Sequence, residues 1–135
     1  MIFEEMLKKA QKNMLRKSST YTEHNIQSAC VRWFRVTYPA MKNVLFAIPN
    51  AARRSARNGA YMKEEGMLSG VSDLILLKSN RYYGALCIEM KKHGGYQSQS
   101  QKDWQKDAEA NGAKYVVCRS LDEFMNEVNN YIKDI

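Results

Sequence analysis

The sequence predicts a mixed α/β fold, with a small central sheet flanked by helices and an extra helix at the N-terminus. Three observations predict it. Two short aliphatic runs, Gly70-Val71-Ser72-Asp73-Leu74-Ile75-Leu76-Leu77 and Gly84-Ala85-Leu86-Cys87-Ile88-Glu89-Met90-Lys91, have the length and composition of largely buried strands. Other stretches place their apolar residues at helical spacing instead. Two capping boxes, Thr20 with Glu23 and Ser98 with Gln101, mark helix starts.

Met1 to Lys17 reads as an amphipathic helix with Phe3, Met6, Leu7, Ala10 and Met14 recurring at helical spacing. Its other positions carry Lys8, Lys9, Lys12, Arg16 and Lys17. Ser18-Ser19-Thr20 reads as a short break, which divides an N-terminal helix and linker (1–20) from the main domain (21–135). A second helix runs from Thr20 to near Pro39, with Glu23, Gln27, Cys30 and Phe34 on adjoining positions of one face. Val44 to Ile48 is the first strand. Asn50 to Gly66 is basic and poor in apolar residues, so a loop or short helices at the surface is expected. The two aliphatic runs form a hairpin. Gly94-Gly95 breaks the chain, and Ser98 caps a helix that stops at Asn111-Gly112. Lys114 to Cys118 is the last strand. Ser120 opens a closing helix with Leu121, Phe124, Met125, Val128 and Ile132 as its buried stripe.

The charges at the strand ends carry the chemistry. A carboxylate at the end of a buried strand is costly unless something binds it. Side chains alternate along a strand, so Glu89 and Lys91 share one face, roughly 6–7 Å apart. If the hairpin is centred on Arg81, Asp73 lies directly opposite Glu89. Opposed residues have Cβ atoms roughly 4.5–5.5 Å apart, close enough for both carboxylates to hold one hard cation. The arrangement points to metal-dependent phosphodiester cleavage. Glu-x-Lys alone is a weak signal, more often a solvated pair at a strand end than a site. It gains weight from the features around it: Glu23 and Gln27 on a helix, the tract Ile48 to Arg54, Gly70-x-x-Asp73, and Gly94 to Gln101.

With those features in order, the chain resembles the VRR-NUC domain family, a branch of the PD-(D/E)xK nuclease superfamily with a restriction-endonuclease-like core. The resemblance runs from about Tyr21 to Ile132. It implies Asp73 as the metal-site aspartate, Glu89 and Lys91 as the Glu-x-Lys, Gln101 as the following glutamine, and Glu23 as the glutamate of the first helix. The proline that usually precedes the aspartate is Ser72 here.

Mg²⁺ or Mn²⁺ is the expected cofactor, held by Asp73, Glu89 and the Met90 carbonyl, with Glu23 reaching it through water. Mg²⁺ keeps several waters and usually takes one or two carboxylates, which suits so sparse a site. Lys91 is read as an electrostatic stabiliser or a water-orienting group. Gln101 and Glu23 each have a structural alternative as the acceptor of their own capping boxes. Arg53, Arg54, Arg57 and Lys63 are candidate phosphate contacts, with a solvated basic loop as the alternative. Trp33 and Trp104 read as core.

Composition agrees with a polyanionic partner. The 135 residues contain 21 Lys and Arg against 14 Asp and Glu, a net charge of +7, and the isoelectric point is near 9.4. No stretch approaches the ~20 apolar residues of a membrane span, and Met1 to Ala10 lacks the apolar core of a secretory signal. Three cysteines outside any CxxC pair fit free buried thiols in a reducing cytoplasm, and the resemblance implies the cytoplasm of a bacterial or phage-infected cell. Two histidines make a Cys/His zinc site improbable. Nor is there a Walker-type loop. The resemblance implies a DNA endonuclease, a homodimer acting on branched DNA in the manner of a Holliday-junction resolvase. A flap or nicking endonuclease is the enzymatic alternative. An inactive basic nucleic-acid-binding module, or a membrane-surface or partner-binding protein using the N-terminal helix, are alternatives of other kinds.

Overall fold

The structure is a computed structural model that describes residues 2–49 and 56–135, without the side chains of 12–22, 56 and 57. Helix α1 (Phe3–Thr37) leads through a 3-10 turn (Pro39–Met41) into β1 (Leu45–Ala47). Helix α2 (Ala56–Glu64), the strands β2 (Leu74–Leu76) and β3 (Leu86–Met90), α3 (Gln99–Ala110), β4 (Lys114–Cys118) and α4 (Leu121–Lys133) follow. The strands form one sheet in the order β1-β2-β3-β4. The first two pairings are antiparallel, and β3 and β4 run parallel with α3 as the crossover between them. This is the mixed α/β architecture expected, with a small sheet between helices.

One expectation is corrected. Helix α1 passes without interruption through Ser18-Ser19-Thr20, so no break separates an N-terminal helix from a second one, and Thr20 is not a helix start. The stretch contains no Gly or Pro and is flanked by Lys, Arg and Glu, good helix formers, so nothing there forces the helix to end. A capping box shows where a helix can begin, and by itself does not end the one before it.

The two faces of the sheet have different work. Leu74, Leu76, Leu86, Ile88, Met90 and Cys118 meet Cys30 and Phe34 of α1 and Phe124, Val128 and Tyr131 of α4 in one buried cluster. Each fully buried Leu or Phe there contributes about 1.5–3 kcal/mol relative to exposure. Trp33 packs edge-on against Phe124 at 6.0 Å between ring centroids. Alternation sends Cys87, Glu89 and Tyr115 to the other face, where α3 lies across the sheet and Trp104 meets Tyr115 at 6.0 Å. All five residues of β3 are buried. Thus Glu89 is carried on one of the two interior strands, facing α3. The cysteines are free and buried, and burial pushes the Cys30 thiol up to about 11 and that of Cys118 to about 12.

Candidate active site

Register brings the carboxylates together. Leu74 pairs with Ile88, Ile75 with Cys87 and Leu76 with Leu86, so every rung reflects through Arg81 and the next one sets Asp73 across from Glu89. The connection is held from below, where the Asn80 side chain donates to the Tyr131 carbonyl at 3.1 Å and the Arg81 backbone N–H donates to that of Asp134 at 2.8 Å. Asp73 is fixed from both sides. Its carbonyl accepts from the Ile48 N–H at 2.9 Å, and its Oδ2 accepts from the Met90 N–H at 2.8 Å. Ser72, in place of a proline, is fully buried and donates its hydroxyl to the Leu74 carbonyl at 3.1 Å. A serine there is therefore satisfied locally rather than left as a buried polar cost.

Glu89 is only 2% exposed. Its Oε1 accepts from Nε2 of Gln101 at 3.0 Å and lies 3.7 Å from Nζ of Lys91. Its Oε2 is, among the described residues, the one buried side-chain polar atom without a partner. Burial pushes the Glu89 carboxyl up to about 8, helped by the neighbouring Asp73 carboxyl and the charge of Glu23, while Lys91 pulls it down. Two carboxylates thus converge with one lysine as counter-charge, and one buried oxygen is orphaned. Such a donor set fits a hard divalent cation, which would satisfy Oε2 and remove the repulsion.

Gln101 combines two jobs that the sequence presents as alternatives. Its Oε1 accepts from the Ser98 N–H at 2.8 Å, and the Ser98 hydroxyl accepts from the Gln101 N–H at 3.3 Å, a complete capping box. With the amide oxygen committed to the cap, the amide nitrogen faces Glu89. The α3 start is placed by Gly70, whose φ is +87° and where a Cβ would collide with the Ser100 carbonyl. Only glycine allows the loop before Asp73 to lie so close to the turn that carries Gln101. Beneath α3, Gln97 donates to Oε1 of Gln105 at 2.9 Å and to the Tyr115 hydroxyl at 3.2 Å. Arg119 donates to the carbonyls of Lys92 at 3.0 Å and Gly95 at 2.7 Å, holding the turn that follows Lys91.

A cleft of about 490 Å³ opens beside Asp73 and Met90, with Glu23, His24, Arg32 and Arg35 of α1 along its other wall. Glu23 is near enough for its charge to act on Glu89. Among the described residues no three of His, Cys, Asp and Glu gather as a metal-holding cluster. Asp73, Glu89 and the Met90 backbone meet at the strand ends, and Glu23 lies on the cleft wall. Lys63 is exposed in the last turn of α2. Arg53 and Arg54 lie outside the described residues, as does the side chain of Arg57. Sequence reasoning did not single out Arg32 and Arg35. Their signal was present, since Ser28, Arg32 and Arg35 recur at i, i+4 and i+7 along one face of the helix.

A family model described as the VRR-NUC domain matches residues 11–122. A solved structure described as a VRR_NUC domain protein superposes with a TM-score of 0.74 at 24% identity, over 84% of this chain and 89% of its own. The likeness establishes a shared fold. No curated protein sequence matches the chain. Among the described residues no helix is long and apolar enough to cross a membrane.

Proposed function

The chain belongs to the VRR-NUC domain family, a nuclease domain family, and we propose that it is a divalent-metal-dependent DNA endonuclease selective for branched DNA. One observation carries the metal and the chemistry: Glu89 is buried opposite Asp73 with its Oε2 unpartnered. Asp73, Glu89 and the Met90 carbonyl would hold Mg²⁺ or Mn²⁺, with Glu23 reaching it through water. When bound, the ion supplies Lewis-acid charge to the phosphoryl oxygens and lowers the pKa of a water molecule.

The chain's own residues orient and balance charge. Met90 N–H holds Asp73 against β3. Gln101 holds Oε1 of Glu89, which fixes the plane of that carboxylate and the direction of its free oxygen. Lys91 Nζ, beside the same Oε1, supplies positive charge where negative charge grows on the phosphorane. A positioned cation is worth more there than in bulk water, because Lys91 and Glu89 are both largely withdrawn from solvent.

Selectivity for branched DNA and a homodimeric active unit belong to the same proposal. Each chain holds one such site, so symmetric cutting of a four-way junction needs two. The net charge of +7 favours dense phosphates near a branch point. Ile2, Phe3, Met6 and Leu7 at the start of α1 are exposed, a face that a two-fold partner would cover. The test is cleavage of labelled four-way junction, flap, single-stranded and linear duplex DNA in Mg²⁺, Mn²⁺ or EDTA, with the mass in solution measured by light scattering. Junction cutting that outpaces duplex cutting, by a particle of twice the chain mass, supports it. A monomer cutting linear duplex equally fast overturns the branched-DNA reading.

A further inference from the structure

We propose that Arg32 and Arg35 form a phosphate-binding wall beside the carboxylate pair, seating consecutive phosphates of the strand that is cut. The proposal rests on reading the site as a DNA-cleaving centre, and it adds the path of the strand. Both arginines line the cleft that also contains Asp73 and Met90. Among the described residues neither forms an ion pair, and both are exposed.

The helix makes this wall rigid. Cys30 and Phe34 of α1 are fully buried in the core, and Trp33 lies edge-on against Phe124 of α4. The arginine positions are therefore fixed by core packing rather than by a loop. Along the axis Arg32 lies about 13–14 Å beyond Glu23. The wall is thus divided, with an acidic end that suits a cation and a basic end that suits phosphate. Arg32 and Arg35 are separated by about 4.5 Å of helix rise, and their long side chains can spread to reach successive phosphates of one strand. Each guanidinium offers a planar fork that matches two phosphate oxygens. One strand laid along this wall would have neighbouring phosphates on the arginines and another phosphate near Asp73.

The experiment uses the full chain in Ca²⁺ or in an Asp73→Ala background, so that binding is read without cleavage. Duplex and junction DNA carry a neutral methylphosphonate at one position at a time along the strand. Unsubstituted protein should lose affinity when the phosphates beside the cut site are neutralised. Arg32→Gln/Arg35→Gln should show no further loss at those positions, and its log–log salt slope should be shallower by about 1.8, two phosphates at ~0.9 each. Arg32→Lys/Arg35→Lys, which keeps the charge, should retain the slope, and unchanged circular dichroism melting confirms that each variant is folded. Equal methylphosphonate losses in the Gln variant and its parent at every position, with an unchanged salt slope, would overturn the proposal. Failure of the natural sequence to cut any DNA would count against the nuclease reading, while the binding arm would still report on the two arginines.

Discussion

Gln101 and Glu89 are joined by a hydrogen bond whose direction is set by a helix cap. Nε2 of Gln101 donates to Oε1 of Glu89 at 3.0 Å because the amide oxygen already accepts from the Ser98 N–H at 2.8 Å. The cap therefore decides which end of the amide meets the carboxylate. Separating the two roles is possible by mutation. Ser98→Ala should lower stability by about 1 kcal/mol and leave most cleavage intact, since the Gln101 donor remains. Gln101→Glu should keep a capping acceptor and lose the donor. It should slow cleavage by about tenfold or more, the equivalent of ~1.4 kcal/mol. Melting curves and single-turnover cleavage of the two variants check this, and equal loss of activity in both would mean that the cap alone matters.

The raised Glu89 carboxyl predicts how stability varies with pH when no divalent cation is present. Burial and Asp73 hold it near 8 in the folded chain, above its ordinary 4.5. Between those values the folded state binds more protons than the unfolded one, so stability falls as pH rises through that window. Thermal melts in EDTA from pH 5 to pH 9 should show the decline, and Glu89→Gln should flatten it. A Glu89→Gln protein with the same pH profile as the natural sequence would remove Glu89 as the source.

Gly70 ties the Asp73 loop to the α3 start. Gly70→Ala must move one away from the other, because the added Cβ meets the Ser100 carbonyl and φ is +87°. Cleavage should drop sharply while DNA binding, carried by phosphate contacts elsewhere, persists. Gly66→Ala provides the control, since a Cβ there meets nothing within 4 Å and φ is likewise positive, at +109°. Equal activity in the two variants would dissociate the Gly70 approach from the site.

Neutralising Arg53, Arg54 and Arg57 should weaken DNA binding across sequences and reduce the log–log salt slope by roughly 0.9 for each phosphate no longer engaged. Binding titrations across a range of salt measure it. An unchanged slope in the triple variant would return this tract to a solvated surface.

Several of these relationships were legible in the sequence because they are local or follow from alternation. Reflection through Arg81 follows from where the aliphatic runs start and stop, and Ser98 with Gln101 is a four-residue pattern. Lys114–Cys118 is a compact apolar run with clear ends. What was not legible depends on long-range placement. The unbroken α1 reflects the absence of any residue that stops a helix at Ser18 to Thr20. Arg32 and Arg35 gain meaning only when α1 packs into the core with α4 and brings them to the cleft that contains Asp73. That Gln97 reaches Tyr115, or Arg119 the Lys92 carbonyl, follows from the crossover and not from spacing.

The most direct measurement of the central claim is cleavage of labelled four-way junction DNA by the natural sequence and by Asp73→Ala, Glu89→Ala and Lys91→Ala, with binding measured in parallel. The natural sequence should cut in Mg²⁺ and stop in EDTA, and Ca²⁺ should support binding with little turnover because its looser geometry positions water poorly. All three variants should bind DNA and lose most cleavage. Robust, EDTA-resistant cutting by an Asp73→Ala/Glu89→Ala double variant would contradict the account.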